Sequence, residues 1–321
     1  MSDDKTFDEA VNLYDSGQHE KAFSIFQILA NKGHVRSMNF MGICYIEGKS
    51  VTQNLSKAAE WYQKAAANGY AGAMNNLGGM YQNGNGVPQD NTKAFEWYQK
   101  AANLGQIEAQ FWVGSFYLEG KSIAKNPVKG AEWMDKSAQQ GDPYAQASLG
   151  DCYNYGIGVQ KDYIKAAEWY HKASDQGVAE AQFKLGYCYY NGNGVKQDYI
   201  KSAELFHKAA LQGHEGAQYN LGQCFYYGFG LKADHAKAVE WYRKAADQEH
   251  ADAQYNLGVS YFKGDGVTKD KKTANDWFKK AAKNNHDLAK KVLDDLKQNK
   301  IDNIGLAGQI ISDILGSLAS S

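Results

Sequence analysis

Residues 181–216 read AQFKLGYCYYNGNGVKQDYIKSAELFHKAALQGHEG, and this stretch decides the fold of the chain. The same pattern recurs in steps of 36 residues on both sides, without an insertion or a deletion. Seven copies begin at Ser37, Ala73, Ala109, Ala145, Ala181, Ala217 and Ala253. A bulky residue keeps the same step at Trp61, Trp97, Trp133, Trp169, Leu205, Trp241 and Trp277. A fixed period of this length predicts a solenoid of stacked repeats.

The first half of each copy has the pattern of a helix that ends at a glycine. Ala181, Leu185 and Tyr189 are spaced at i, i+4 and i+8, which places them on one helical face. Gly192 follows, and glycine adopts the positive φ that commonly ends a helix. A short loop then closes on a residue suited to cap the next helix, at Asn54, Asp90, Asn126, Asp162, Asp198, Asp234 and Asp270.

The second half of each copy predicts another helix, with Ala166, Trp169, Tyr170 and Ala173 spaced at i, i+3, i+4 and i+7. Small alanines beside a large tryptophan predict that a neighbouring helix approaches closely while the indole fills the gap. One such hairpin buries too little apolar surface to be stable alone, so stacked neighbours must complete the core. The sequence therefore predicts an all-α fold.

The repeated pattern A-x-A-Q-x-x-L-G-x-x-Y-x-x-G-x-G-V-x-x-D-x-x-K-A-x-E-W-Y-x-K-A-A-x-x-G resembles the Sel-1-like repeat (SLR) family, which is related to the tetratricopeptide repeats. The resemblance covers roughly residues 37–285. It implies a right-handed α-α superhelix (solenoid) of antiparallel helix pairs that serves as a binding platform. It does not imply one particular ligand.

The two ends of the chain depart from the repeat and suggest caps. We expect residues 1–36 to form an N-terminal capping helix pair, residues 37–288 the seven repeats, and residues 289–300 a C-terminal capping helix. Residues 301–321 form an apolar amphipathic tail that carries only Asp302 and Asp313 as charges. Three roles remain open for this tail: packing on the solenoid end, self-association or docking in a partner groove, and attachment to a membrane surface.

Composition narrows the class of partner. The chain has 35 basic and 36 acidic side chains, for a formal charge of −1, and no basic stripe of the kind that nucleic-acid binding requires. The first ten residues, MSDDKTFDEA, lack the basic n-region and apolar run that are typical of a secretory signal, and no apolar run reaches the ~20 residues that span a bilayer. We therefore expect a cytoplasmic protein with a protein or peptide partner, and neither a nucleic-acid nor a membrane partner.

Cysteines and histidines recur at fixed repeat positions. The cysteines share one position and are interpreted as reduced core thiols, not metal ligands: Cys44, Cys152, Cys188 and Cys224. Four histidines share a loop position between repeats and are interpreted as part of a solvated face: His34, His214, His250 and His286. We predict no metal and no cofactor.

A catalytic function finds little support in the sequence. Ser-x-x-Lys occurs from Ser2, Ser122 and Ser260, and certain cysteine-rich relatives have been associated with penicillin binding. A serine acylase of that kind also needs Ser-Asp-Asn and Lys-Thr-Gly elements, which are missing. A β-lactam-binding hydrolase is therefore a remote alternative, and we predict no catalytic residues.

The variable positions of the first helices predict a binding surface. Residues at −2, +1 and +5 from the Leu-Gly glycine share one face, and the resemblance implies that first helices line a concave groove. The predicted groove residues are Trp112, Asp151, Tyr155, Lys184, Tyr187, Asn220, Gln223 and Tyr227. Aromatic anchors among polar neighbours are typical of protein recognition, although these aromatics could instead pack between adjacent first helices. We predict a non-enzymatic interaction scaffold or adaptor, with an immunity- or inhibitor-type protein that wraps one cognate enzyme or toxin as the alternative.

Overall fold

The computed structural model describes residues 2–297, and all regular secondary structure within that range is helical. The seventeen helices there are α1 (Asp3–Asp15), α2 (His19–Asn31), α3 (Val35–Glu47), α4 (Leu55–Ala67), α5 (Ala71–Asn83), α6 (Asn91–Asn103), α7 (Ile107–Glu119), α8 (Pro127–Gln139), α9 (Pro143–Tyr155), α10 (Tyr163–Asp175), α11 (Ala179–Asn191), α12 (Tyr199–Leu211), α13 (Glu215–Tyr227), α14 (His235–Asp247), α15 (Ala251–Lys263), α16 (Lys271–Lys283) and α17 (Asp287–Lys297). The 301–321 tail lies outside the described residues.

The helices form two compact units, of which the first ends at Asp162 and the second begins at Tyr163. In the first unit, α1 to α8 pack as four successive hairpins. In the second unit, α11 to α16 pack as three hairpins, and α17 packs on α16. Each unit is thus a stack of helix hairpins, as the repeat predicts. We call α3, α5, α7, α9, α11, α13 and α15 the first helices. The second helices are α4, α6, α8, α10, α12, α14 and α16.

The helix boundaries confirm the glycine and N-cap predictions. Gly192 has φ of +75° and donates its backbone N–H to the carbonyl of Cys188, at 2.8 Å, which ends α11. Asp198 accepts backbone hydrogen bonds from Ile200 and Lys201, both at 3.0 Å, which begins α12. These caps satisfy backbone groups that a helix end leaves unpaired.

The second glycine of the Gly-x-Gly loop fixes the distance between neighbouring repeats. At Gly194, φ is +72°, and an added Cβ would overlap the carbonyl group of Tyr163 at the start of the preceding second helix. The same close approach recurs at Gly86, Gly158, Gly230 and Gly266. Only glycine combines the left-handed backbone with this contact, so the motif serves packing.

The close contact between the two helices of a hairpin is filled by another residue than the tryptophan, to which the sequence analysis assigned the gap beside a neighbouring helix. The residue after the tryptophan fills it: Tyr98 is buried, and its ring lies directly against Gly78 of the first helix. Trp97 stays half-buried, with the Nζ of Lys100 at 4.1 Å from its ring centre. Both positions fall on the inner side of an amphipathic helix, but only the second points at the glycine.

Candidate partner-binding site

The predicted groove residues of the first unit have different environments. Trp112 stacks on Tyr98, with ring centres 5.8 Å apart and an interplanar angle of 19°, so it contributes to packing between repeats. Asp151 is half-buried on α9. Tyr155 stands at the end of α9 with 66% of its surface exposed. Of these three, Tyr155 presents the most side chain to solvent.

Three of the five predicted groove residues in the second unit converge on one pocket. Tyr187 lies on α11, whereas Asn220 and Gln223 lie on α13, and all three line it. Lys184 instead pairs with Glu180 on its own helix, at 3.0 Å. Tyr227 packs against Tyr226 and Phe229, with ring centres 4.9 and 5.5 Å away.

The pocket encloses about 560 Å³ and draws its walls mainly from the first helices of three successive repeats. Helices α11, α13 and α15 supply most of the lining, and the loop before α17, the start of that helix, α12 and the loop after α13 supply the rest. Its lining residues are Tyr187, Tyr190, Asn191, Phe206, Tyr219, Asn220, Gln223, Cys224, Phe229, Asp252, Tyr255, Asn256, Asn285, His286, Asp287 and Leu288. Aromatic rings alternate with side-chain amides and carboxylates. We call this space the α11–α15 pocket.

The interpretation of the loop histidines as a solvated face is wrong. His286 stacks on Tyr255 of the preceding first helix, with ring centres 4.4 Å apart, and only 11% of its side chain is exposed. Its Nδ1 accepts the backbone N–H of Ala289 at 3.1 Å, so it caps α17. Its Nε2 lies 3.3 Å from a carboxylate oxygen of Asp252. The histidine therefore joins consecutive repeats and also forms part of the pocket wall.

Hydrogen bonds from these histidines hold the neighbouring carboxylates in their charged form. The side chain of His286 lowers the pKa of Asp252. At the equivalent position two repeats earlier, His214 together with Lys184 lowers the pKa of Glu180 to about 2. Asp252, in the wall of the α11–α15 pocket, thus stays an ionised carboxylate at neutral pH.

The cysteine interpretation is confirmed as far as burial and pairing are concerned. All four cysteines are buried and free of disulfides. Burial raises the pKa of Cys188 to about 11 and that of Cys224 to about 12. A thiol with so high a pKa is a poor nucleophile, so Cys224 contributes apolar surface to the pocket.

Two of the three Ser-x-x-Lys serines lie apart, one in the core and one in a loop. Ser260 is 1% exposed in the core of the second unit. Ser122 lies in the loop after α7 with φ of +60°. Between residues 2 and 297, no group of three or more His, Cys, Asp or Glu side chains could hold a metal ion. None of the helices in that range is long and apolar enough to cross a bilayer.

Regular helix hairpins, capped by glycine and aspartate and repeated without gaps, define a repeat protein of the tetratricopeptide-related class. The sequence model of the Sel1 repeat matches seven consecutive segments, at residues 35–70, 71–106, 107–142, 143–178, 179–214, 216–250 and 251–286. The chain belongs to the Sel1 repeat family, whose repeats mediate protein–protein interaction.

Solved structures with the same fold include two Sel1 repeat proteins of bacteria. A protective antigen present in uropathogenic Escherichia coli strains is 36% identical, with a TM-score of 0.78; the match covers 85% of this chain and 59% of that chain. A Sel1 repeat protein from Oxalobacter formigenes is 31% identical, with a TM-score of 0.68, over 92% of this chain and 88% of that one. No curated protein shows significant similarity to the chain.

Several pocket residues lie outside the three variable positions from which the groove was predicted. Tyr219 and Tyr255 stand 36 residues apart, directly before the −2 position of the predicted groove face. Asp252 and His286 are separated by 34 residues, as are Glu180 and His214. That recurring acid–histidine spacing was visible in the sequence and could have identified the inter-repeat pair.

Proposed function

We propose that this chain is a non-enzymatic interaction scaffold that binds a protein or peptide partner through the first helices of its repeats. The observation that carries the proposal is the α11–α15 pocket, in which variable side chains of three successive first helices meet. The Leu-Gly pair and the tyrosine after the tryptophan pack in the core, and the aspartate or asparagine before each second helix caps it. The first-helix face is therefore where a sequence can change its partner without changing its fold.

The chemistry of the pocket supports a macromolecular partner in preference to a reaction. Exposed aromatic edges such as Tyr187 provide apolar contact area, and the amides of Gln223 and Asn191 provide donors and acceptors. Such mixtures favour recognition. Tyr190 is unsuited to proton transfer at neutral pH, because burial raises its pKa to about 12.

The test is affinity capture from the native host with three versions of the full chain. The first is wild type, and the second is the double variant Tyr187→Ala/Gln223→Ala. The third is the control Ile200→Ala, which removes an apolar side chain that is 61% exposed on the second helix α12. We expect the same partner with wild type and control, and its loss from the double variant.

Equal recovery of the partner by all three versions would refute the use of the first-helix face. The number of captured proteins also separates two forms of the proposal. One dedicated partner indicates an inhibitor- or immunity-type protein, and several clients indicate an adaptor.

A further inference from the structure

The α11–α15 pocket has an unbalanced charge. Two carboxylates, Asp252 and Asp287, lie in its lining, and no lysine or arginine does so among the described residues. His286 contacts Asp252 through its Nε2, at 3.3 Å, while its Nδ1 accepts the backbone N–H of Ala289 at 3.1 Å. Lys290 pairs with Asp287 from outside the lining, at 2.9 Å, which leaves Asp252 as the carboxylate of the lining with a histidine contact but, within residues 2–297, no lysine or arginine partner.

Aromatic rings form other parts of the same lining. Tyr187 makes edge contacts with Phe206 at 5.5 Å, and Tyr190 makes edge contacts with Phe229 at 5.8 Å, measured between ring centres. All four rings line the pocket. Ring faces and a carboxylate both attract an ammonium or guanidinium group, and the attraction grows when the cation is desolvated.

Asn220 adds a buried donor that no residue of the described range satisfies. This residue lines the pocket, only 6% of its surface is exposed, and its Nδ2 is buried without a hydrogen-bond partner. The equivalent Asn76 of the first unit donates its Nδ2 to Asn39 at 3.1 Å. An unsatisfied buried donor destabilises a fold, and rotation of the Asn220 amide into the pocket would let a carbonyl oxygen of a bound peptide satisfy it.

We propose that the α11–α15 pocket binds an extended peptide segment of the partner, with a lysine or arginine side chain beside Asp252 and a backbone carbonyl on Asn220. The inference rests on the proposed scaffold function and specifies the chemistry of the partner. The cation lies among the aromatic rings, and the amide donor fixes the register of the segment. Acidic segments are rejected because no basic side chain of the lining would pair with them.

The experiment uses three fluorescein-labelled, end-blocked heptapeptide libraries, with alanine, serine and glycine mixed at the flanking positions. The central residue is an equal mixture of lysine and arginine in the first, norleucine in the second and glutamate in the third. Binding to the full chain is followed by fluorescence anisotropy at low and at high salt. We expect the basic library to bind at least tenfold more tightly than the norleucine library, and the glutamate library to bind most weakly.

Two variants separate the contributions. Asp252→Asn should reduce the preference for basic over norleucine peptides about tenfold, and should leave norleucine binding unchanged. Asn220→Ala should weaken the basic and norleucine libraries by the same factor. The control Asp247→Asn removes an exposed carboxylate of the second helix α14 and should change neither. Thermal unfolding followed by circular dichroism checks that each variant is folded. If Asn220→Ala unfolds, Asp252→Asn, which does not change the size of the side chain, still tests the preference for basic peptides.

Equal binding of the three libraries by wild type, or an unchanged preference in Asp252→Asn, would overturn the inference. The scaffold proposal has a separate test, because partner capture by wild type and its loss from Tyr187→Ala/Gln223→Ala do not depend on peptide charge. If the double variant loses the partner but the three peptide libraries bind equally well, the cationic segment is rejected. The scaffold function is then still supported.

Discussion

The contact between Gly78 and Tyr98 predicts a large difference between two neighbouring glycine substitutions on α5. A Cβ added at Gly78 would lie 2.6 Å from both Cδ1 and Cε1 of the Tyr98 ring, far inside van der Waals distance. That ring has little freedom to move. It stacks on Trp112 at 5.8 Å, and its hydroxyl donates to Oε1 of Gln82 at 2.8 Å.

Gly79 provides the matched control on the same helix. A Cβ there would meet only the Tyr98 hydroxyl, at 3.6 Å, which is an ordinary contact. Alanine favours a helix interior over glycine by ~1 kcal/mol. We therefore expect Gly79→Ala to stabilise the fold by roughly that amount. Gly78→Ala gains the same helix propensity but overpacks the interface, which costs up to ~3 kcal/mol, for a net loss of about 2 kcal/mol.

Urea and thermal unfolding followed by circular dichroism measure both effects. For a unit of the length of Met1–Asp162, a change of 1 kcal/mol in unfolding free energy shifts the melting temperature by roughly 2–4 °C. Gly78→Ala should melt roughly 4–8 °C below wild type, and Gly79→Ala roughly 2–4 °C above it. Equal melting temperatures for the two variants would refute the claim that the Leu-Gly glycine exists to admit the ring.

Further predictions concern the caps, the histidines and the thiols. Asp198→Ala should destabilise the second unit by ~1 kcal/mol, because two backbone donors of α12 lose their acceptor. Asp198→Asn retains an acceptor and is the control. Equal losses of unfolding free energy in urea for the two variants would contradict the role of Asp198 as a cap. Burial lowers the pKa of His250, so its contribution to stability is complete above the unfolded pKa of ~6.5 and falls as the pH drops below it. His250→Asn, which keeps a capping acceptor, should weaken the fall in melting temperature between pH 7.5 and 5.5, and an unchanged slope would exclude His250 as its source. Cys188, whose pKa burial raises to about 11, should react with a thiol reagent at pH 8 only after urea is added; fast reaction of the native chain would contradict its burial.

The sequence predicted the parts of the fold that depend on local backbone chemistry. Gly192 at a helix end and Asp198 at a helix start are favoured by φ and by hydrogen bonding within a few residues, so the spacing alone located them. The repeat period then placed each hairpin beside the next, and the all-helical fold and the family followed. These predictions needed no knowledge of side-chain positions.

The predictions that were wrong concern side chains whose position depends on packing between helices. Trp97 and Tyr98 both lie near the inner face of α6, and helical periodicity cannot say which of them reaches Gly78. The loop histidines were interpreted from their own loop, although His286 finds its ring partner Tyr255 and its carboxylate Asp252 on the preceding first helix, α15.

The candidate site depends on the same kind of contact. The variable-position argument found Tyr187, Asn220 and Gln223, and these do share a pocket. It could not show that Lys184 is engaged by Glu180, because that pairing depends on side-chain geometry. Trp112 likewise packs on its neighbouring repeat. Which of the eight predicted groove residues contact a partner remains a prediction.

The most direct test of the central claim, that first helices carry the partner, is site-specific photo-crosslinking. The photoreactive amino acid p-benzoylphenylalanine is placed at Tyr187 on the first helix α11 or, in a matched chain, at Ile200 on the second helix α12. Both side chains are exposed, at 39% and 61%. The account predicts a crosslinked adduct with the captured partner from position 187 and none from position 200. An adduct from position 200 alone would contradict it.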